Sequence, residues 1–161
     1  MPGPRFTALP VEEDFFDDAP FRVNATLAIP RAAEEVWSDF TAEHPLAWCR
    51  IIDRITWTSP RPFGVGTRRT GSSLKGTSVI EEVFFRWEEG RCQSFYATHI
   101  SNPLFRRFAE DYLIEPVAPT ACRFSWTIAI EPRRGAQVAN PLNRMLLGTL
   151  FRDTSKHYGC A

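Results

Sequence analysis

The chain has 161 residues, 43% of them apolar and 24% charged, with 19 basic residues balancing 19 acidic ones. That length fits one domain and buries roughly 70% of the unfolded surface, so the core needs no disulfide or metal staple. A formal net charge of zero argues against nucleic acid or an anionic membrane as the main partner, since both reward a basic excess. All basic residues except Lys75 and Lys156 are arginine, a bias that GC-rich bacterial coding explains without a binding role. The cysteines, Cys49, Cys92, Cys122 and Cys160, lie too far apart for a zinc knuckle or a redox pair. With no apolar leader and no 18-residue apolar run, the expectation is a cytoplasmic protein without integral membrane association.

Residues Met1 to Pro20 are broken by four prolines and carry five acids between Glu12 and Asp18. They read as an irregular N-terminal arm, with Phe15 and Phe16 as the side chains that would pin it to a single domain over residues 21–161. From Phe21 to Ile29 apolar residues alternate with polar ones, the period of a strand with one buried face. Pro30 ends that strand. Glu34 and Glu35 suit the first turn of a helix whose inward stripe is Val36, Trp37 and Phe40, and a second short helical piece is expected over Leu46 to Arg50.

Six further strands follow, separated by glycine and proline turns: Ile51 to Thr58, Thr67 to Ser73, Thr77 to Trp87, Cys92 to Ile100, Arg106 to Glu115 and Ala121 to Glu131. Short turns make consecutive strands antiparallel. After Pro132 the period becomes helical. Asn140 is the expected N-cap, Pro141 the first helical residue, and Leu142, Met145, Leu146, Thr149 and Leu150 the apolar stripe of a helix ending near Tyr158. One long helix must cover the apolar face of the sheet.

Candidate chemistry follows from strand parity. On Thr77 to Trp87, the set Val79, Glu81, Val83, Phe85 and Trp87 is taken as inward, which makes Glu81 the inward acid; the opposite set holds Glu82. Glu110 shares a face with Phe108, Tyr112 and Ile114, and His99 shares parity with Phe95 and Ala97. Glu81, Glu110 and His99 are therefore the candidates for acid–base work; ion pairs with surface arginines, or a satisfied core histidine, are the plainer readings. Arg69, if inward, would hold a carboxylate or phosphate headgroup. Trp57, Phe85, Phe95, Phe108, Tyr112, Trp126 and Met145 are the apolar candidates for lining a pocket, although the same residues serve equally to fill a core. No nucleophile elbow, phosphate loop, dinucleotide fingerprint or metal-ligand cluster is present in the sequence, so no cofactor and no metal are expected.

The element order, together with Ile29-Pro30-Arg31-Ala32-Ala33-Glu34-Glu35-Val36-Trp37, Trp57-Thr58-Ser59-Pro60, Gly64-Val65-Gly66-Thr67-Arg68-Arg69, Ile80-Glu81-Glu82-Val83 and Cys122-Arg123-Phe124-Ser125-Trp126-Thr127, resembles the START/Bet v 1-like superfamily. The likeness is closest to its bacterial polyketide cyclase/dehydrase-like branch. It implies an α+β helix-grip fold: a seven-stranded curved antiparallel sheet around a long C-terminal helix, with two short helices after the first strand and a cavity between sheet and helix. It further implies a small hydrophobic or amphipathic ligand, lipid or polyketide-like, bound or carried by a monomer or homodimer. The alternatives are an aromatase/cyclase or dehydratase-like enzyme working in the same cavity, and a protein-interaction or co-chaperone module. The superfamily has no shared catalytic motif to transfer to this chain, and fold alone does not choose among these roles.

Overall fold

The computed structural model describes residues 3–136 and 141–160, with side chains from 143 onward in the second stretch. Among them run β1 (Phe6–Thr7), α1 (Phe15–Asp18), β2 (Phe21–Ile29), α2 (Ala33–Phe40), β3 (Ile52–Trp57), β4 (Arg68–Ser73), β5 (Ser78–Glu88), β6 (Cys92–Ile100), β7 (Phe105–Ala118), β8 (Ala121–Pro132) and α3 (Pro141–Tyr158). Seven strands form one antiparallel sheet in the order β2-β8-β7-β6-β5-β4-β3, and the two-residue β1 pairs with β6. The sheet curls, and α3 lies across its hollow, so the helix-grip architecture holds. No helix among the described residues is long and apolar enough to cross a membrane.

The concave face carries the main core. Phe40 of α2 packs against Phe124 and Tyr112 with ring centroids 4.7 and 5.1 Å apart, and Val36 and Trp37 are buried beside it. The helix starts at Ala33, three residues beyond Pro30, which ends the strand without entering the helix. Residues Leu46 to Arg50 form turns instead of a second helix, with Leu46 at φ 59. A left-handed residue cannot continue an α-helix. Asn140 and the side chain of Leu142 lie outside the described residues.

Two register shifts on β5–β6 decide which side chains face inward. Glu81 sits opposite His99 while Glu82 sits opposite Ala97, so Thr98 is an extra residue on β6. Likewise Phe84 pairs with Phe95 and Arg86 with Ser94, leaving Phe85 as an extra residue on β5. Each bulge flips strand parity. Ile80, Glu82 and Phe84 therefore face the hollow together with Trp87, whereas Glu81 and Phe85 face out.

The N-terminal arm fills a split in the same sheet. β6 and β7 pair only over Cys92 to Tyr96, and beyond that Ala8 N–H donates to Thr98 O while Leu9 N–H donates to Arg106 O. The unpaired backbone of both strands is satisfied by this insertion. Further along, Phe15 is buried on the outer face beside Val11, Ala109 and Ala129, and Phe16 stacks on Phe85.

Helix α3 is anchored at its C-terminal half. Trp48 stacks on His157 at 4.2 Å and donates from Nε1 to the Thr154 hydroxyl; Tyr158 donates to Asp39, and Arg50 pairs with Asp153. One core position is not satisfied in this way. Gln93 on β6 is fully buried, and neither atom of its amide has a hydrogen-bond partner among the described residues. Gln93→Met, which keeps the shape and removes both polar atoms, is expected to raise stability by about 1 kcal/mol and Tm by roughly 3 °C in thermal melts, because an unmet buried amide carries its full desolvation penalty.

Candidate functional site

Between α3 and the concave face lies a cavity of about 450 Å³. Strand register gives it two ends. Ser73 opposite Ser78, the turn around Leu74, and Asn102 to Phe105 form the outer end, under the first turns of α3. Leu74 and Leu104 line this mouth and are about 40% exposed, at 40% and 39%. Four or more residues further along the same strands, the inner end is built from Arg69, Glu82, Glu110, Tyr112 and Trp126. The wall between the ends is aliphatic, with Ile55, Ile80, Leu146, Leu147 and Leu150.

The inner end is a polar cluster set in an apolar wall. Arg69 Nε donates to Glu82 Oε2 at 2.6 Å, and the pair is buried, with side chains 1% and 9% exposed. The guanidinium lies 4.3 Å from the centroid of the Phe95 ring and 5.0 Å from that of Phe84, so its flat faces are covered by aromatic carbon. Next to this pair, Glu110 Oε2 accepts from Trp126 Nε1 at 2.8 Å and from the Tyr112 hydroxyl at 3.0 Å.

Burial is the largest influence on these groups. It pushes the Glu110 carboxyl up to about 7, and the neighbouring charge of Glu82 adds to the rise; Arg69 and the two donors oppose it without cancelling it. Glu82 is raised by the same desolvation, against the pull of Arg69. Desolvation alone would loosen the Arg69 proton, but Glu82 and Tyr112 outweigh it, so the guanidinium stays charged. The Tyr112 hydroxyl is raised by burial and by Glu110 and stays protonated. Two carboxyls thus face one guanidinium, and burial favours relief of the excess by uptake of a proton on Glu110 near neutral pH.

Five of the residues singled out from the sequence meet around this cavity: Arg69, Phe108, Glu110, Tyr112 and Trp126 all line it. The others do not. Glu81 is on the outer face, 2.5 Å from Arg5 and 3.1 Å from His99, which is outward too; the bulge at Phe85 reverses Glu81 relative to Trp87, and the bulge at Thr98 reverses His99 relative to Ala97. Phe85 packs outside against Phe16 and Tyr96 because of the second bulge. Met145 is 55% exposed. The inward stripe of α3 is Leu146, Leu147 and Leu150, rotated from the expected one so that Met145 falls outside it. Phe95 and Trp57 flank the Arg69 guanidinium without lining the cavity.

Glu82 is the residue that parity missed. The tight turn after Ser73 sets Arg69 opposite Glu82, and residues paired across a hairpin share a face. An inward Arg69 therefore required an inward Glu82. Among the described residues, no group of three His, Cys, Asp or Glu side chains converges to hold a metal.

Glu110 links stability to pH. Its carboxyl has an ordinary value of 4.5 and a folded value of about 7, so its contribution is complete below pH 4.5 and is lost as pH rises through 7. The integrated effect is about 3 kcal/mol. Thermal melts from pH 5.5 to 8 should show the Tm of the protein falling relative to that of Glu110→Gln, which cannot titrate. Parallel curves would exclude a protonated Glu110.

Comparison with known proteins agrees with this architecture. Residues 20–156 match the family described as polyketide cyclase / dehydrase and lipid transport. Uncharacterised proteins from Mycobacterium tuberculosis (strain ATCC 25618 / H37Rv) and Mycobacterium bovis are 36% identical over 153 residues, covering 89% of this chain and 87% of theirs. Among solved structures, a START superfamily protein from Mycobacterium smegmatis superposes with a TM-score of 0.64 at 14% identity, covering 84% of this chain and 92% of that one. Ginseng major latex-like protein 151 from Panax ginseng gives 0.65 at 13%, covering 86% and 97%. The chain belongs to the polyketide cyclase/dehydrase and lipid transport family, and it shares the helix-grip fold of these solved structures.

Proposed function

We propose that the protein binds or carries a small hydrophobic ligand with one polar end, lipid or polyketide-like, held under α3. The observation that carries this reading is the cavity of about 450 Å³, aliphatic between a mouth with serine and asparagine side chains and an inner end that holds its only charged lining residues among those described. Its size and lining are those of small-molecule sites, in which apolar burial supplies affinity and a few polar groups fix orientation. At about 25 cal/mol per Å², burying a ten-carbon chain gives micromolar binding without any ionic contact.

A second reading has its own support. Glu110 is a buried acid with its pKa raised to about 7, facing the cavity, and such a group is suited to proton transfer at neutral pH. An enzyme of the cyclase or dehydratase type would use it as acid or base on the ligand's polar end. Turnover of a polyketide-like substrate that vanishes in Glu110→Gln while binding persists would favour this reading over a carrier.

Binding itself is tested with N-phenyl-1-naphthylamine, an apolar dye whose emission rises on leaving water. The protein is expected to bind it in the micromolar range. The double variant Ile80→Trp/Leu147→Trp, which fills the cavity from both walls, should weaken it roughly tenfold or more while keeping a cooperative melt. Dye binding unchanged in the filled variant would place the dye elsewhere and overturn the proposal, as would the absence of binding by the unaltered protein.

A further inference from the structure

The polar end of the cavity has an unusual sign. In an apolar site with a buried arginine, the first expectation is that the guanidinium holds an anionic head. Here Arg69 is already engaged: its Nε donates to Glu82, its Nη1 is sealed off from solvent-sized space, and its side chain is 1% exposed. Each carboxyl keeps an oxygen available. In each of Glu82 and Glu110 the hydrogen bonds fall on Oε2, and the remaining Oε1 has no partner among the described groups, yet is not enclosed in protein. Both residues are more than nine-tenths buried, and the space that they line is the cavity.

We infer that the inner end of the cavity recognises a hydrogen-bond donor on an otherwise apolar ligand, an alcohol or phenol O–H or an ammonium N–H, and disfavours a carboxylate head. The donor reaches Oε1 of Glu82 or Glu110, which the protein leaves without a partner among the described residues and, unlike Arg69 Nη1, does not enclose. A ligand carboxylate would instead add a third acid to a site where two already share one guanidinium, and like charges in a desolvated site repel strongly. This inference rests on the cavity being the binding site and specifies which ligands it takes.

The groups facing Glu110 fix how protonation enters. Strand β4 presents Arg69, β5 presents Glu82, β7 itself Tyr112, and the turn before β3 brings the Cys49 thiol, which burial raises to about 12 and so keeps neutral. β6 and β8 set Phe95 and Ile128 opposite Glu110, and α3 covers it with leucines. Only Arg69 and Glu82 add charge. Above pH 7 Glu110 is ionised and the cluster carries one net negative charge; below it the cluster is neutral.

Three probes with the same chain, 1-decanol, decylamine and decanoate, separate the cases by displacement of N-phenyl-1-naphthylamine. At pH 8, decanol or decylamine is expected to bind at least about tenfold more tightly than decanoate. Which of the two is tighter tells whether the donor is a hydroxyl or an ammonium. Moving from pH 8 to pH 6 should narrow the gap to decanoate as Glu110 takes up its proton, and Glu110→Gln should narrow it at pH 8. Decanoate binding as well as decanol at pH 8 would overturn the inference while leaving the cavity intact. Failure of the dye itself to bind would remove both the cavity reading and the inference.

Discussion

A curved antiparallel sheet with one apolar face has to be covered, and among the described elements only α3 is long enough to cover it. Everything about the site follows from where that helix is fixed. Its last two turns are tied to the turns around Trp48 and to α2 by a stacked Trp48–His157 pair, the Tyr158–Asp39 hydrogen bond and the Arg50–Asp153 ion pair. Its earlier turns meet the hollow with Asn143 and with leucine side chains. Leucines reaching down from α3 do not meet the isoleucines rising from β5 and β3, and the distance between them is the cavity. Other large aromatic residues are used elsewhere: Phe40 and Phe124 pack under α2, while Phe84, Trp87 and Trp57 pack around one another and Phe63.

Placing an arginine and two glutamates in such a wall does not serve stability. A buried ion pair seldom repays its desolvation, and an apolar pair of the same volume often does better. The second carboxyl makes matters worse, since it has no cation of its own. What the cluster provides is direction. An aliphatic tube binds any apolar molecule either way round, whereas a tube with hydrogen-bonding groups at one end binds a molecule with a matching end in one orientation. Trp126 and Tyr112 hold Glu110 by a single oxygen, which fixes the carboxyl plane and leaves its other oxygen for the cavity.

The sequence made much of this visible where the strands are regular. On β7 the alternation Phe108, Glu110, Tyr112, Ile114 runs unbroken, and all four are buried on the concave side; Phe124, Trp126, Ile128 and Ile130 on β8 behave alike. Period two fails only where a residue is inserted. Thr98 and Phe85 are such insertions, and no local composition marks them, because a bulge is a property of the pairing between two strands and is not encoded in either alone. Counting back from Trp87 across Phe85 turns Glu81 inward and Glu82 outward. Counting forward from Ala97 across Thr98 does the same to His99. On α3, leucines and a methionine crowd several faces of the helix, so the stripe was rotated and Met145 exchanged for Leu147.

The two bulges also tie the outer surface to the inner one. Because Thr98 shifts the register, Glu81 and His99 meet on the convex side, where Arg5 of the arm joins them. Because Phe85 is displaced outward, it offers a platform on which Phe16 stacks. The arm is thus held at both ends by side chains that exist on that face only through the irregularities that place Glu82 and Phe84 inside. An edit that removed the extra residue Phe85 would turn Glu82 outward together with Arg69, which is paired with it across β4 and β5, and would take away the platform under Phe16. The bulges are therefore part of the site, since the inward face of the Arg69–Glu82 pair and the anchoring of the arm depend on the same backbone register.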